Sequence, residues 1–118
     1  MITITPAATL AIKDSSLSQH PNPVPFAGTG VICPTGALAQ DVILPAATVA
    51  ATIPFPLGVT TAKVLAIFPA TATDLVVTYK GDAHAVPLQQ PFFLYDAAAA
   101  DLSISTALGG KVSIVVGG

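Results

Sequence analysis

Between Leu38 and Val59 the chain reads LAQDVILPAATVAATIPFPLGV, twenty-two residues with one formal charge, Asp41, and no long polar break. A run this apolar matches the length of a membrane-spanning helix, which takes about twenty residues and must satisfy every backbone group within itself. Three prolines decide against that. Pro45, Pro54 and Pro56 each remove an amide donor, and the last two would break the second half of any helix. Around them the pattern has a period of two: Val49, Ala51 and Ile53 fall on one side of an extended chain, Thr48, Ala50 and Thr52 on the other. The stretch is predicted to be strand, with no membrane partner.

The same period recurs along the chain. ITIT sets Ile2 and Ile4 against Thr3 and Thr5, and ATLAIK sets Leu10 and Ile12 against Thr9 and Lys13. TTAKVLAIF is apolar on both sides, which predicts a central strand. TDLVVTYK, DLSIST and KVSIVV present Leu75, Val77 and Tyr79, then Leu102 and Ile104, then Val112, Ile114 and Val116, each alternating mostly with polar residues. With 41–44, 49–53 and 91–95 added, about nine short strands tile the chain. Gly58, KGD at 80–82 and LGG at 108–110 read as hairpin-like breaks. Helix has little support beyond DAAAAD at 96–101, where Asp96 is placed to cap a single turn or the segment is a plain loop. The expected fold is an all-β, single-domain antiparallel β-sandwich or jelly roll. Within it, residues 1–26 form N-terminal strands and an extended arm, and 27–118 form the body.

Charge is scarce. The 118 residues carry four Lys, six Asp, no Arg and no Glu, 8% in all against about one-quarter in an average soluble domain. Ala, Thr, Ser, Pro and backbone must therefore make up most of the surface. Either hydroxyls keep a monomer soluble, or neighbouring protein covers part of that surface; the second is preferred, because large apolar patches in soluble proteins commonly mark contacts. A net charge of -2 without Arg argues against nucleic acid and against an anionic membrane surface. The opening MITITPAATLAIKDSSLSQH has no basic segment followed by an unbroken apolar run, so a protein made and assembled in a cytoplasm is expected.

Residues for chemistry are few. There is no G-x-S-x-G elbow, and Cys33 in GTGVICPTG reads as a small buried hydrophobe, although His20 or His84 could reach it. Gly28 and Gly30 lack the third glycine of a dinucleotide loop, and Pro34 stands where its helix would begin. Asp82 and His84 in GDAHA offer two metal ligands on one side of a strand, but zinc or calcium needs more. No enzyme, metal site or cofactor is expected.

Two segments suggest contacts instead. In HPNPVPF, Pro21, Pro23 and Pro25 favour an extended stretch, either a connector on the domain's own surface or an arm lying on a neighbour with Phe26 as its anchor. PFFLYD puts Phe92 and Leu94 on one face and Phe93 and Tyr95 on the other. One face is core. For the other, taken as Phe93 and Tyr95, a subunit contact is preferred, with a second core layer or a ligand platform as alternatives. A weak echo, TITPAATLA at 3–11, VILPAATVA at 42–50 and IFPATAT at 67–73, reads as a repeated hairpin corner or as common composition.

The strand-turn-strand frame from Thr60 to Gly118, including PFFLYD and LGGKVSIVVGG, resembles small structural proteins of tailed-bacteriophage virions, of which capsid decoration (cement) proteins are the closest kind. The resemblance implies a β-sandwich or jelly-roll subunit, often trimeric. Such a subunit sits on the major capsid protein or another virion protein and acts through protein contacts within the virion. The rival reading is a glycan-binding β-sandwich module of a tail or fibre.

Overall fold

The computed structural model describes residues 2–10, 24–27 and 30–118. Twelve strands lie among them: β1 (Ile2–Ile4), β2 (Ala7–Leu10), β3 (Val24–Ala27), β4 (Val31–Cys33), β5 (Ala37–Leu44), β6 (Thr48–Ala51), β7 (Thr61–Pro69), β8 (Val76–Tyr79), β9 (Asp82–Ala85), β10 (Phe92–Ala98), β11 (Leu102–Thr106) and β12 (Gly110–Gly117). The only helical piece among the described residues is a 3-10 turn at Ala99–Asp101.

Strands β5 to β12 form two four-stranded antiparallel sheets, ordered β10-β7-β12-β5 and β6-β11-β8-β9. Their pairing is nested: β5 with β12, β6 with β11, β7 with β10 and β8 with β9. Successive pairs fall in alternate sheets. A long antiparallel ribbon turned at the β8–β9 hairpin and rolled in this way is a jelly roll. Contacts of β12 with β7 and of β11 with β8 close each sheet laterally.

The core follows from register. Residues directly opposite in an antiparallel pair share a face, so the first sheet carries rows Leu94–Leu65–Val116–Leu38 and Phe92–Ile67–Ile114–Gln40, followed by Pro69–Val112–Val42. The second sheet answers with Leu75, Val77, Leu102 and Ile104. Val112, Ile114, Val116, Leu65 and Ile67 are fully buried between them. Strand β7 is central, as its two-sided apolar pattern predicts: Leu65 and Ile67 face the other sheet while Val64 is buried on the opposite side.

Five local readings differ from expectation. The strand assigned to 41–44 begins at Ala37, because Ala37 to Gln40 pair in unbroken register with Gly117 to Ile114. Val49 is not aligned with Ile53: Ala50 adopts a left-handed φ of 50°, which breaks the alternation and leaves Val49 80% exposed. Asp96 caps nothing; it sits inside β10 with φ 54°, and the 3-10 turn begins after Ala98 without a side-chain cap. KGD does make a hairpin, with Lys80 and Gly81 at positive φ, but LGG carries the chain from one sheet to the other. There Gly109 is obligatory, since a Cβ would lie 2.7 Å from the Leu44 carbonyl oxygen. The PAAT-like corners likewise link strands of different sheets, β5 to β6 at Pro45 and β7 to β8 at Pro69, rather than hairpins.

The short strands β3, β4 and β9 were not expected. VPFA lies in the proline-rich segment, VIC is three residues long, and all four residues of DAHA are exposed, so none carries a clean alternation.

Burial sets an expected contrast within the first sheet. Ile114→Ala should lower unfolding free energy by about 2–5 kcal/mol, whereas Ile43→Ala, 79% exposed on the same sheet, should stay within roughly 0.5 kcal/mol. Urea denaturation of both variants checks the assignment of inner and outer faces.

Candidate functional site

The outer face of the first sheet is the candidate. Its rows are Tyr95–Val64–Gly117–Ala37, Phe93–Ala66–Val115–Ala39, Phe68–Ser113–Asp41 and Lys111–Ile43. Tyr95 is 51% exposed and Phe68 37%, with Phe93, Ala66 and Val115 half-buried between them. Polar groups gather at one side, where Ser113 donates to Asp41 Oδ1 at 2.7 Å and Lys111 Nζ stands 3.9 Å from Asp41 Oδ2. That exposed ion pair contributes little to stability; it does leave the middle of the face neutral.

One corner is already covered. Strands β1 and β4 pair with each other, Ile2 opposite Cys33 and Ile4 opposite Val31. Their side chains close over Gly117: a Cβ there would come within 2.6 Å of both Ile4 Cδ1 and Cys33 Sγ. Cys33 is 1% exposed, as its reading as a small buried hydrophobe predicts. The second-layer reading of the Phe93 and Tyr95 face therefore applies to one corner of it. A second layer exists over Val64 and Gly117, and Tyr95, Phe68 and Ile43 remain open beside it.

Other predicted contact residues lie elsewhere. Phe26 and Pro25 belong to β3, where they stand opposite Ala8 and Thr9 of β2. Pro21 and Pro23 fall outside the described residues. Phe68, Val115 and Ile43 joined the face without being singled out. Phe68 shares the parity of Val64 and Ala66, and Val115 the parity of Lys111 and Ser113, so strand alternation held the signal; the lateral order of strands was needed to bring them together.

The outer face of the second sheet differs in kind. Its rows are Ser103–Thr78–Ala83 and Ser105–Val76–Ala85, small and hydroxyl-bearing. A shallow cleft of about 610 Å³ opens at its β6 side, lined by residues including Val49, Asp74, Val76 and Ser105. Asp74 is committed to structure there: it accepts the Thr106 hydroxyl on Oδ1 and the Ala107 and Leu108 amides, at 2.9 and 3.2 Å, on Oδ2. The Thr106 bond above all holds its carboxyl below the ordinary aspartate range, opposed by a smaller desolvation and helped by the Ala107 and Leu108 amides. Asp82 and His84 share a face of β9, and the His84 ring packs 5.7 Å from that of Phe92. Among the described residues no three His, Cys, Asp or Glu side chains come together as metal ligands, and no helix is long and apolar enough to cross a membrane.

The fold and this face define an all-β jelly-roll domain with one apolar and one hydroxylated outer surface. No protein-family model matches the chain, and neither a curated protein nor a solved structure matches it significantly.

Because the Asp74 carboxyl is held low in the folded chain, its contribution is present above the ordinary aspartate pKa and is lost as pH falls through the folded value. Wild-type stability should therefore decline on acidification below about pH 4. Asp74→Ala should be less stable at neutral pH and show a shallower acid limb, measured by urea midpoints across pH.

Proposed function

We propose that this protein is a non-enzymatic structural subunit of a virion, a capsid decoration type of protein that docks on the major capsid protein or another shell protein through the outer face of its first sheet. The observation that carries this reading is the neutral, aromatic-bearing row Phe93–Ala66–Val115–Ala39 flanked by Tyr95, Phe68 and Ile43, presented on a rigid sheet. Aromatic residues in a setting depleted of charge are what the centre of a protein interface contains, with polar groups at its rim; here Asp41, Ser113 and Lys111 form that rim.

The architecture is compatible with the role, since jelly rolls serve viral capsids and also lectins and cupins; the fold alone does not choose among them. The charge-poor composition favours a buried destination. On a lattice the same modest contact is repeated at every site, so each subunit needs only a standard interface of about 800 Å² per partner to contribute appreciably to shell stability.

Phe93→Ser together with Tyr95→Ser should weaken co-sedimentation with capsids by at least about tenfold, since aromatic anchors at interface centres typically contribute 2 kcal/mol or more, while the thermal midpoint of the isolated subunit shifts little. Undiminished binding by the double variant would remove this face from the interface. Specific hits on a glycan array that disappear with Tyr95→Ala would transfer the face to a sugar-binding role.

A further inference from the structure

We propose that β5 is a self-pairing edge, through which two copies of this chain join antiparallel about a two-fold axis at Gln40 and extend the first sheet to eight strands. This goes beyond the docking role of the outer face and stands without it.

The jelly roll has four edge strands, and three of them are blunted. Strand β6 is four residues long, preceded by Ala47 and containing Ala50, both at positive φ. Strand β9 is four residues, carries Asp82 and is followed by Pro87. Strand β10 is interrupted by Asp96 at positive φ. These are the devices by which native sheets discourage edge pairing. Strand β5 is the least protected: although it carries one charge, Asp41, and is followed by Pro45, ALAQDVIL is eight residues long, regular throughout, without positive φ and without internal Pro or Lys.

The hydrogen-bond phase tells which groups the edge offers. Gly36 and Gly118 exchange both amide bonds, at 3.0 and 3.1 Å. Continuing that register, Leu38, Gln40, Val42 and Leu44 bond to β12, and Ala37, Ala39, Asp41 and Ile43 direct their N–H and C=O groups away from it. Among the described residues no strand pairs with that side. Keeping both copies' outer faces on one side requires residues of equal parity to meet. The Gln40-centred register pairs Ala37 with Ile43 and Ala39 with Asp41, and by symmetry the reverse, so all four outward residues of each copy are bonded.

Shifting the centre to Asp41 leaves Ala37 unbonded and sets two carboxylates directly opposite, which is unfavourable. Centring on Ala39 leaves Ile43 unbonded. In the Gln40-centred register half-buried Leu38 and Val42 meet across the seam on the inner side, and highly exposed Ile43 packs beside Ala37 on the outer side. Each Asp41 keeps its own Lys111 and faces only an alanine. The product is a two-fold dimer, in place of the trimer that the phage resemblance implies, and it sets the outer faces of both copies side by side with the Asp41, Ser113 and Lys111 groups of each beside the seam.

Sedimentation equilibrium of the full chain should give a dimer. Ala39→Pro removes an amide that points away from β12 and is tolerable on an edge strand; it should yield a folded monomer with an unchanged circular dichroism spectrum. Ala39→Asp should raise the dissociation constant about tenfold, through two new like-charge pairs with Asp41, while Ala39→Lys lowers it. Gln40→Cys should oxidise to a covalent dimer, since a non-hydrogen-bonded pair places its Cα atoms about 4.5 Å apart, and Asp41→Cys should cross-link far less. A wild-type monomer at about 0.1 mM would overturn the proposal. So would equal responses to Ala39→Asp and Ala39→Lys, or any oligomer indifferent to all of these changes.

Discussion

The register of β12 is the constraint on which the body depends. This last strand pairs with β5 over its whole length on one side and with β7 on the other. Its parity places Val112, Ile114 and Val116 against the second sheet and Lys111, Ser113, Val115 and Gly117 outward. A slip by one residue would exchange the two sets, burying a lysine and exposing three branched aliphatics. Gly110 and Gly117 fix the register at both ends. At Gly110 a Cβ would lie 2.6 Å from the Ala72 amide, and at Gly117 it would meet the side chains of Ile4 and Cys33. The two ends of the chain are thus coupled, since β1 and β4 pack where β12 finishes.

From that register comes the difference between the two outer faces. A chain with so few charges must still present two surfaces to water, and it treats them differently. The second sheet turns Ser103, Ser105 and Thr78 outward, groups that solvate well without charge. The first turns out Phe93, Tyr95, Phe68 and Val115. The two outer faces of the sandwich therefore differ in chemistry, one hydroxyl-bearing and one aromatic and aliphatic.

Most of the architecture was legible as alternation, because strands buried on one face leave a period of two wherever the chain is regular. TDLVVTYK, DLSIST and KVSIVV give their inward residues directly, and β7 declares its central place by being apolar on both sides. What alternation cannot show is a residue that leaves the extended region. Ala50 and Asp96 are neither glycine nor asparagine, yet both adopt left-handed φ inside or beside strands, so Val49 and the supposed helix cap were misplaced together. Lateral order is equally hidden. Phe93 and Tyr95 were recognisable as an outward pair, but Ile43 and Val115 became their neighbours only through β5, β12 and β7 standing side by side, a matter of pairing across up to about eighty residues of chain.

The corners explain why the nesting is unambiguous. A two-residue type I′ hairpin turn takes two consecutive residues at positive φ, and Lys80–Gly81 supplies them at the β8–β9 tip. Elsewhere the chain crosses between sheets, and apart from the 3-10 turn Ala99–Asp101 the connections carry prolines or a close-packed glycine, among them Pro45 between β5 and β6, Pro69 at the end of β7 and Gly109 before β12. Proline cannot continue a central ladder, so Pro69 ends β7, and the chain crosses to the other sheet there as it does at Pro45 and Gly109. Asp74 then fastens one crossing, its carboxylate gathering the Thr106 hydroxyl and the Ala107 and Leu108 amides just before Gly109. With one hairpin tip and crossings on either side, the ribbon can only roll, and rolling brings β5 beside β12 with its far edge open.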